Sequence, residues 1–249
     1  MLLLCDGMPR SASTWAYNVV FALLKTAFPK ATIQRRLQDG SPSAAELVES
    51  RANWEVMKSH RLDDFSRSVF RAGHGRSIYT HRDIFDAMAS YLVMFRMRFD
   101  WALLTMEEAL DVYDFHYETG NFLSVDYESV VNRSRETIRA IAGFLELELP
   151  ESEIAAIDEA HSFSAIKELS AKLKEDSTKR LISNGMSCLD LDSQWHVRHV
   201  RNGGIGYGRK YLMPQQIEQI ENVIKNRKGP SRNILPALPG VPARAGTAG

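Results

Sequence analysis

A single α/β domain with a mainly parallel sheet of about five strands flanked by helices is predicted by three observations. Short apolar runs alternate with segments of helical periodicity, the pattern of βαβ units. Such a sheet is covered by helices on both faces, and 249 residues with 44% hydrophobic content can supply the core it needs. The residues of chemical interest follow the ends of the runs: Arg10 the first, Lys58 and His60 the third, Arg82 the fourth. Sheets of this class collect ligands at the carboxyl ends of their strands.

The elements follow in order. Leu2 to Cys5 is a continuous apolar run and reads as a buried strand. A turn from Gly7 leads into a helix with apolar periodicity over Trp15 to Ala27. Further strands are expected at Thr32 to Leu37, Trp54 to Lys58, Ser77 to Thr80 and Phe122 to Val125. Helices are expected between them at Ala44 to Arg51, Ile84 to Arg96 and Met106 to Tyr117, then at Ser134 to Leu145 and Ile154 to Ala160. No internal repeat is present. After Lys228 the composition shifts to Gly, Pro and Ala, so the domain is expected to span residues 1–228, with 229–249 a poorly packed tail.

The turn after the first strand carries Arg10-Ser11-Ala12-Ser13-Thr14. A helix start offers unpaired N–H groups and the positive end of the macrodipole, which suits a phosphate or sulfate. The same residues also suit an ordinary N-cap, with Ser11 or Ser13 capping a structural helix. It is not a Walker A loop, because Ala12 and Ser13 fill its Gly-Lys positions. A formal net charge of zero implies no nucleic-acid surface and no anionic-membrane surface. The two cysteines, Cys5 and Cys188, suggest free thiols in a reducing compartment. The opening apolar run is too short for a signal peptide and no run approaches the ~20 residues that span a bilayer, so a cytoplasmic location is expected.

Four motifs in order then resemble those of the PAPS-dependent sulfotransferases. Pro9 to Trp15 resembles the 5′-phosphosulfate loop, Pro-Lys/Arg-Ser-Gly-Thr/Ser-Thr-Trp. Lys58-Ser59-His60 resembles the Lys-Thr/Ser-His that carries a catalytic histidine in the cytosolic branch. Tyr79 to Tyr91 resembles the 3′-phosphate element, a strand ending in arginine (Arg82) with a serine (Ser90) eight residues on. Arg201-Asn202-Gly203-Gly204-Ile205-Gly206 resembles the second 3′-phosphate clamp, Arg-Lys-Gly-x-x-Gly, with Asn202 in place of the usual lysine.

The resemblance implies a P-loop NTPase-like sulfotransferase fold and transfer of a sulfuryl group from 3′-phosphoadenosine 5′-phosphosulfate (PAPS) to a hydroxyl or amine of a small-molecule acceptor. Adenosine 3′,5′-bisphosphate (PAP) is then the product, and no metal is required. His60 is implied as general base, for which an ordinary imidazole near pKa 6.5 is suited. Lys58 and Arg10 are implied as charge-stabilising partners, Arg10 standing where the cytosolic branch usually has lysine. Donor contacts are implied at Arg10, Ser11, Ala12, Ser13, Thr14, Arg82, Ser90, Arg201, Asn202 and Gly203. Trp15, Tyr127 and Phe163 match aromatic residues around the adenine. Gly208 stands near a family tryptophan, so the end of that loop is expected to differ.

Other features carry less. His196 and His199 have a spacing that mimics a metal pair, with no third ligand in the sequence. Arg96 and Arg98 face either an acidic acceptor or water. A small-molecule kinase would share the sheet and the anion loop but needs the Walker lysine and Mg²⁺-holding carboxylates. A non-catalytic nucleotide-binding protein on the same scaffold would be expected to lose Lys58 or His60. Monomer and homodimer both remain open from the sequence.

Overall fold

The computed structural model describes residues 1–37, 52–176, 179, 181–183, 188–197 and 204–238. A five-stranded sheet has the order β2-β3-β1-β4-β5, with β1 at Leu2–Gly7, β2 at Ile33–Leu37, β3 at Trp54–Lys58, β4 at Gly75–His81 and β5 at Phe122–Asp126. Every pairing in it is parallel. The five predicted strands are therefore present; Trp54 to Lys58 has the predicted bounds and the other four are extended or trimmed by a residue or two at an end, where assignments ordinarily vary.

β1 lies at the centre and is buried on both faces. Leu3 and Cys5 join a cluster with α1 (Ser13–Ala27), α6 (Ser134–Phe144) and α7 (Glu151–Ala160). Leu2 and Leu4 point to the other face, against Phe70 of α2 (Asp64–Arg71) and Val112, Tyr113 and Phe115 of α4 (Phe99–Thr119). This two-sided burial is why the first run reads as uninterrupted rather than alternating. Under the same face, Asp6 Oδ2 pairs with His116 Nε2 at 2.6 Å and Asp6 Oδ1 accepts from Ser77 Oγ at 2.7 Å. His116 is a core residue there, remote from solvent.

α3 (Ile84–Phe95) and α4 pack with α10 (Pro214–Asn226) in a further apolar cluster. The remaining helices are α5 (Tyr127–Asn132), α8 (Phe163–Lys172) and the short α9 (Gly208–Tyr211). A small antiparallel pair, β6 (Leu181–Ser183) and β7 (Cys188–Asp190), precedes a turn closed by Asp190, which accepts from the Ser193 N–H at 3.1 Å. The helix predicted at Ala44 to Arg51 lies outside the described residues. None of the described helices is long and apolar enough to cross a membrane.

The chain does not loosen at residue 229. Pro230–Ile234 form a 3₁₀ turn, Ser231 is buried, and Leu235 and Leu238 enter the α3–α4–α10 cluster. Asp114 of α4 holds this segment, accepting from Arg227 Nη2 at 2.6 Å and from the Ser231 N–H at 2.5 Å. The packed body therefore continues through Leu238, because two buried leucines and the Asp114 carboxylate that ties Arg227 and Ser231 outweigh a loop-like composition.

Candidate active site

The parallel order places the carboxyl ends of β3, β1 and β4 side by side, so their following loops converge. β1 ends at Gly7, whose φ is 139° and whose added Cβ would fall 2.1 Å from the Thr80 carbonyl oxygen. Only glycine allows that approach. The chain then curls through Arg10 at φ 67° and Ala12 at φ 77°. Left-handed residues alternating in this way turn backbone N–H groups toward one centre, an anion-binding concavity.

α1 starts at Ser13 behind Ala12, with no side-chain cap. The alternative of an ordinary N-cap by Ser11 or Ser13 is therefore not realised. Ser11 is buried instead, its hydroxyl 2.6 Å from the Met8 carbonyl and 2.9 Å from the Thr80 carbonyl. Its side chain ties the loop to β4, which leaves only its backbone to meet an anion. Ser13 and Thr14 sit, largely buried, in the first turn of α1.

The second and third convergent ends complete the site. Arg10 Nε donates to Ser90 Oγ at 3.1 Å, and Arg82 Nη1 donates to the Arg10 carbonyl at 3.2 Å. Residues separated by 72 to 80 positions thus meet in one network. The Arg82 guanidinium lies 4.0 Å from the centre of the Tyr127 ring, and its Nε is buried without a hydrogen-bond partner among the described residues. A cavity of about 500 Å³ opens beside them, lined by Arg10, Ala12, Arg82, Ser90 and Gly204, and by the rings of Trp15, Tyr127, Phe163, Trp195 and Tyr207.

Local structure fixes these rings. Trp15 Nε1 donates to the His161 carbonyl at 3.0 Å, which orients the indole. Asp126 caps α5 through the Ser129 N–H at 2.8 Å and so sets Tyr127 as its first residue. Ser162 caps α8 in the same manner and sets Phe163 at the cavity lip. Arg201, Asn202 and Gly203 lie outside the described residues; Gly204, which follows them, lines the cavity.

His60 Nδ1 lies 2.8 Å from the Gly7 carbonyl and Nε2 lies 3.2 Å from Lys58 Nζ. A carbonyl only accepts, so Nδ1 carries the proton and Nε2 presents its lone pair, now receiving Lys58. The expectation of an ordinary pKa near 6.5 does not hold. Close packing, with Lys58 as the nearest cation and Arg10 and Arg61 behind it, pushes the imidazole down to about 3. It is a neutral hydrogen-bond acceptor.

Several site residues escaped the sequence reading. Trp195 and Tyr207 line the cavity, yet neither belongs to a motif that marks aromatic contacts. His196 was weighed only as half of a metal pair, and its partner His199 lies outside the described residues. The His196 ring meets Phe95 edge-on at 5.9 Å, and burial together with Lys58 and Arg10 lowers its pKa to about 4. Gly208 stands where no side chain fits, since a Cβ would fall 2.2 Å from the Phe85 carbonyl carbon.

Comparison with known proteins agrees with this geometry. The profile of the family described as Sulfotransferase domain matches residues 3–232. The 3-beta-hydroxysteroid sulfotransferase of Cavia porcellus is 23% identical over 243 residues, covering 88% of this chain and 80% of that protein. Mouse sulfotransferase SULT7A1, solved with PAP, superposes with a TM-score of 0.64 at 17% identity, over 90% of this chain and 82% of that one. Retinol dehydratase, solved with androsterone and PAP, gives 0.63 at 16% identity, over 92% and 82%. The chain belongs to the sulfotransferase family and is an enzyme of it.

Proposed function

We propose that this protein moves the sulfuryl group of PAPS to a hydroxyl or amine of a small-molecule acceptor, with His60 as general base. One observation carries the reading. The cations Arg10 and Arg82 and the hydroxyl of Ser90 form one network beside an aromatic-lined cavity, and the Arg82 Nε in it is buried without a partner among the described residues. A ligand with an anionic group at each end of a purine nucleoside satisfies that set. The uncapped start of α1 and Arg10 suit its 5′ end, Arg82 and Ser90 its 3′-phosphate, and Trp15, Tyr127 and Phe163 its base.

The donor supplies a sulfuryl group on a phosphate leaving group; positioning and charge stabilisation by the protein do the rest. His60 Nε2 takes the proton of the acceptor hydroxyl, which replaces Lys58 as its hydrogen-bond partner. As the acceptor oxygen bonds to sulfur, the bond from sulfur to the 5′-phosphate oxygen breaks. Arg10 and the α1 N-terminus hold the charge that gathers on that phosphate, while Lys58 is placed to neutralise a sulfuryl oxygen. Retinol dehydratase holds androsterone in its solved complex and the guinea-pig relative is named for steroids, which supports a small apolar alcohol as acceptor.

Calorimetry on the purified chain tests the donor assignment. Each charge-assisted phosphate contact is worth about 1.5–3 kcal/mol, so adenosine 3′,5′-bisphosphate should bind at least tenfold more tightly than adenosine 5′-monophosphate. Equal affinities would remove the PAPS reading.

A further inference from the structure

Asp86 occupies the first turn of α3, 1% exposed, and does not itself line the cavity. Its Oδ2 accepts from Arg82 Nη2 at 3.2 Å and from the Gly206 N–H at 2.7 Å. Its Oδ1 accepts from the Gly208 N–H at 2.6 Å. Arg82 Nη2 donates in addition to the Gly204 carbonyl at 2.9 Å. Gly208 itself lies against the Phe85 backbone with no room for a Cβ.

A carboxylate beside an anion-binding arginine opposes the anion through like charge. Buried so completely, it is also costly unless paired and hydrogen-bonded. Here it joins three donors from two segments 120 or more residues apart. Its use is positional. We infer that Asp86 is a positioning residue which locks the Arg82 guanidinium and the 204–208 turn together, and so sets recognition of the donor's 3′-phosphate without touching the donor.

This rests on the donor reading above. A carboxamide at position 86 keeps the shape but removes the charge and one acceptor oxygen. A second change, Gly206→Ala, disturbs only the turn: Gly206 is exposed, has φ 76°, and an added Cβ there meets no atom within 4 Å. Asp86→Asn and Gly206→Ala are compared with the parent by calorimetry against adenosine 3′,5′-bisphosphate and 5′-monophosphate, after circular dichroism has checked folding. Bisphosphate affinity should fall tenfold or more while monophosphate affinity stays within about threefold. Donor KM should rise in parallel, with kcat at saturating donor little changed. A general structural role would weaken both nucleotides together. If Asp86→Asn does not fold, Gly206→Ala alone decides the matter. Either folded variant that keeps the parent's preference, or loses both affinities equally, overturns the inference. A parent without any preference overturns the donor reading, and this inference with it.

Discussion

His60 donates from Nδ1 to a carbonyl on the central strand, so its imidazole is fixed in the tautomer a base requires. The same setting depresses its pKa to about 3, chiefly by burial and next by Lys58. In the free enzyme the acidic limb of kcat/KM should therefore lie well below pH 6.5. An anionic donor placed between Lys58 and Arg10 offsets their field, so the limb of kcat should sit above that of kcat/KM. Lys58→Ala removes the nearest cation and should move the kcat/KM limb upward while lowering turnover. His60→Ala should cost about 10²–10⁴ in turnover with bisphosphate affinity nearly intact. Rate profiles between pH 4 and 8 on a sulfated acceptor check both variants. A parent kcat/KM limb at or above 6.5 would contradict the assigned environment.

Ala12 shows how an element can carry strain at its start. It precedes α1 at φ 77°, where an L-residue costs roughly 1–2 kcal/mol and glycine almost nothing. Glycine also gains freedom in the unfolded chain, worth about 0.4–1 kcal/mol against it. Ala12→Gly should thus stabilise the fold by about 0.5–1 kcal/mol, seen as a rise of about 1–3 °C in Tm by calorimetry. A fall in Tm would mean that the loop relaxes around the methyl group. The sequence made this position visible only through the resemblance, because backbone φ leaves no trace in composition. The first strand was legible for the opposite reason: Leu2 to Cys5 is buried on both sides and reads as an uninterrupted apolar run. The helices α5 and α8 were missed because side-chain caps, more than periodicity, hold them, and the short α9 because its packing on α3 does. In α10 the signal was present in Pro214, Ile217, Ile220 and Ile224, and polar neighbours obscured it. Arg10, Arg82 and Ser90 were found from motif spacing; the inward turn of Ser11 and the clamp at Asp86 were not, because both depend on which loops meet.

Among the described residues, burial leaves four histidines less basic than in an unfolded chain. His60 is lowered to about 3 and His196 to about 4, and His81 and His161 are lowered too. In the unfolded state each takes up a proton near pH 6.5, whereas the native state takes it up only at lower pH. The unfolded chain then binds more protons, so stability is full above about 6.5 and is lost as pH falls toward 4. For a group enclosed as tightly as His60 the slope approaches about 1.4 kcal/mol per pH unit. The Tm of the ligand-free protein should accordingly fall steadily between pH 6.5 and 4.5, a window in which few carboxylates titrate. His60→Gln removes one of the four groups and should fall less steeply over the same range. Saturating bisphosphate should raise Tm at every pH by mass action. It should also flatten the slope, because an anion beside Lys58, Arg10 and His196 lets the native imidazoles accept protons more readily. Parallel curves for the parent and His60→Gln would show that His60 titrates normally, and would return the base to an ordinary pKa.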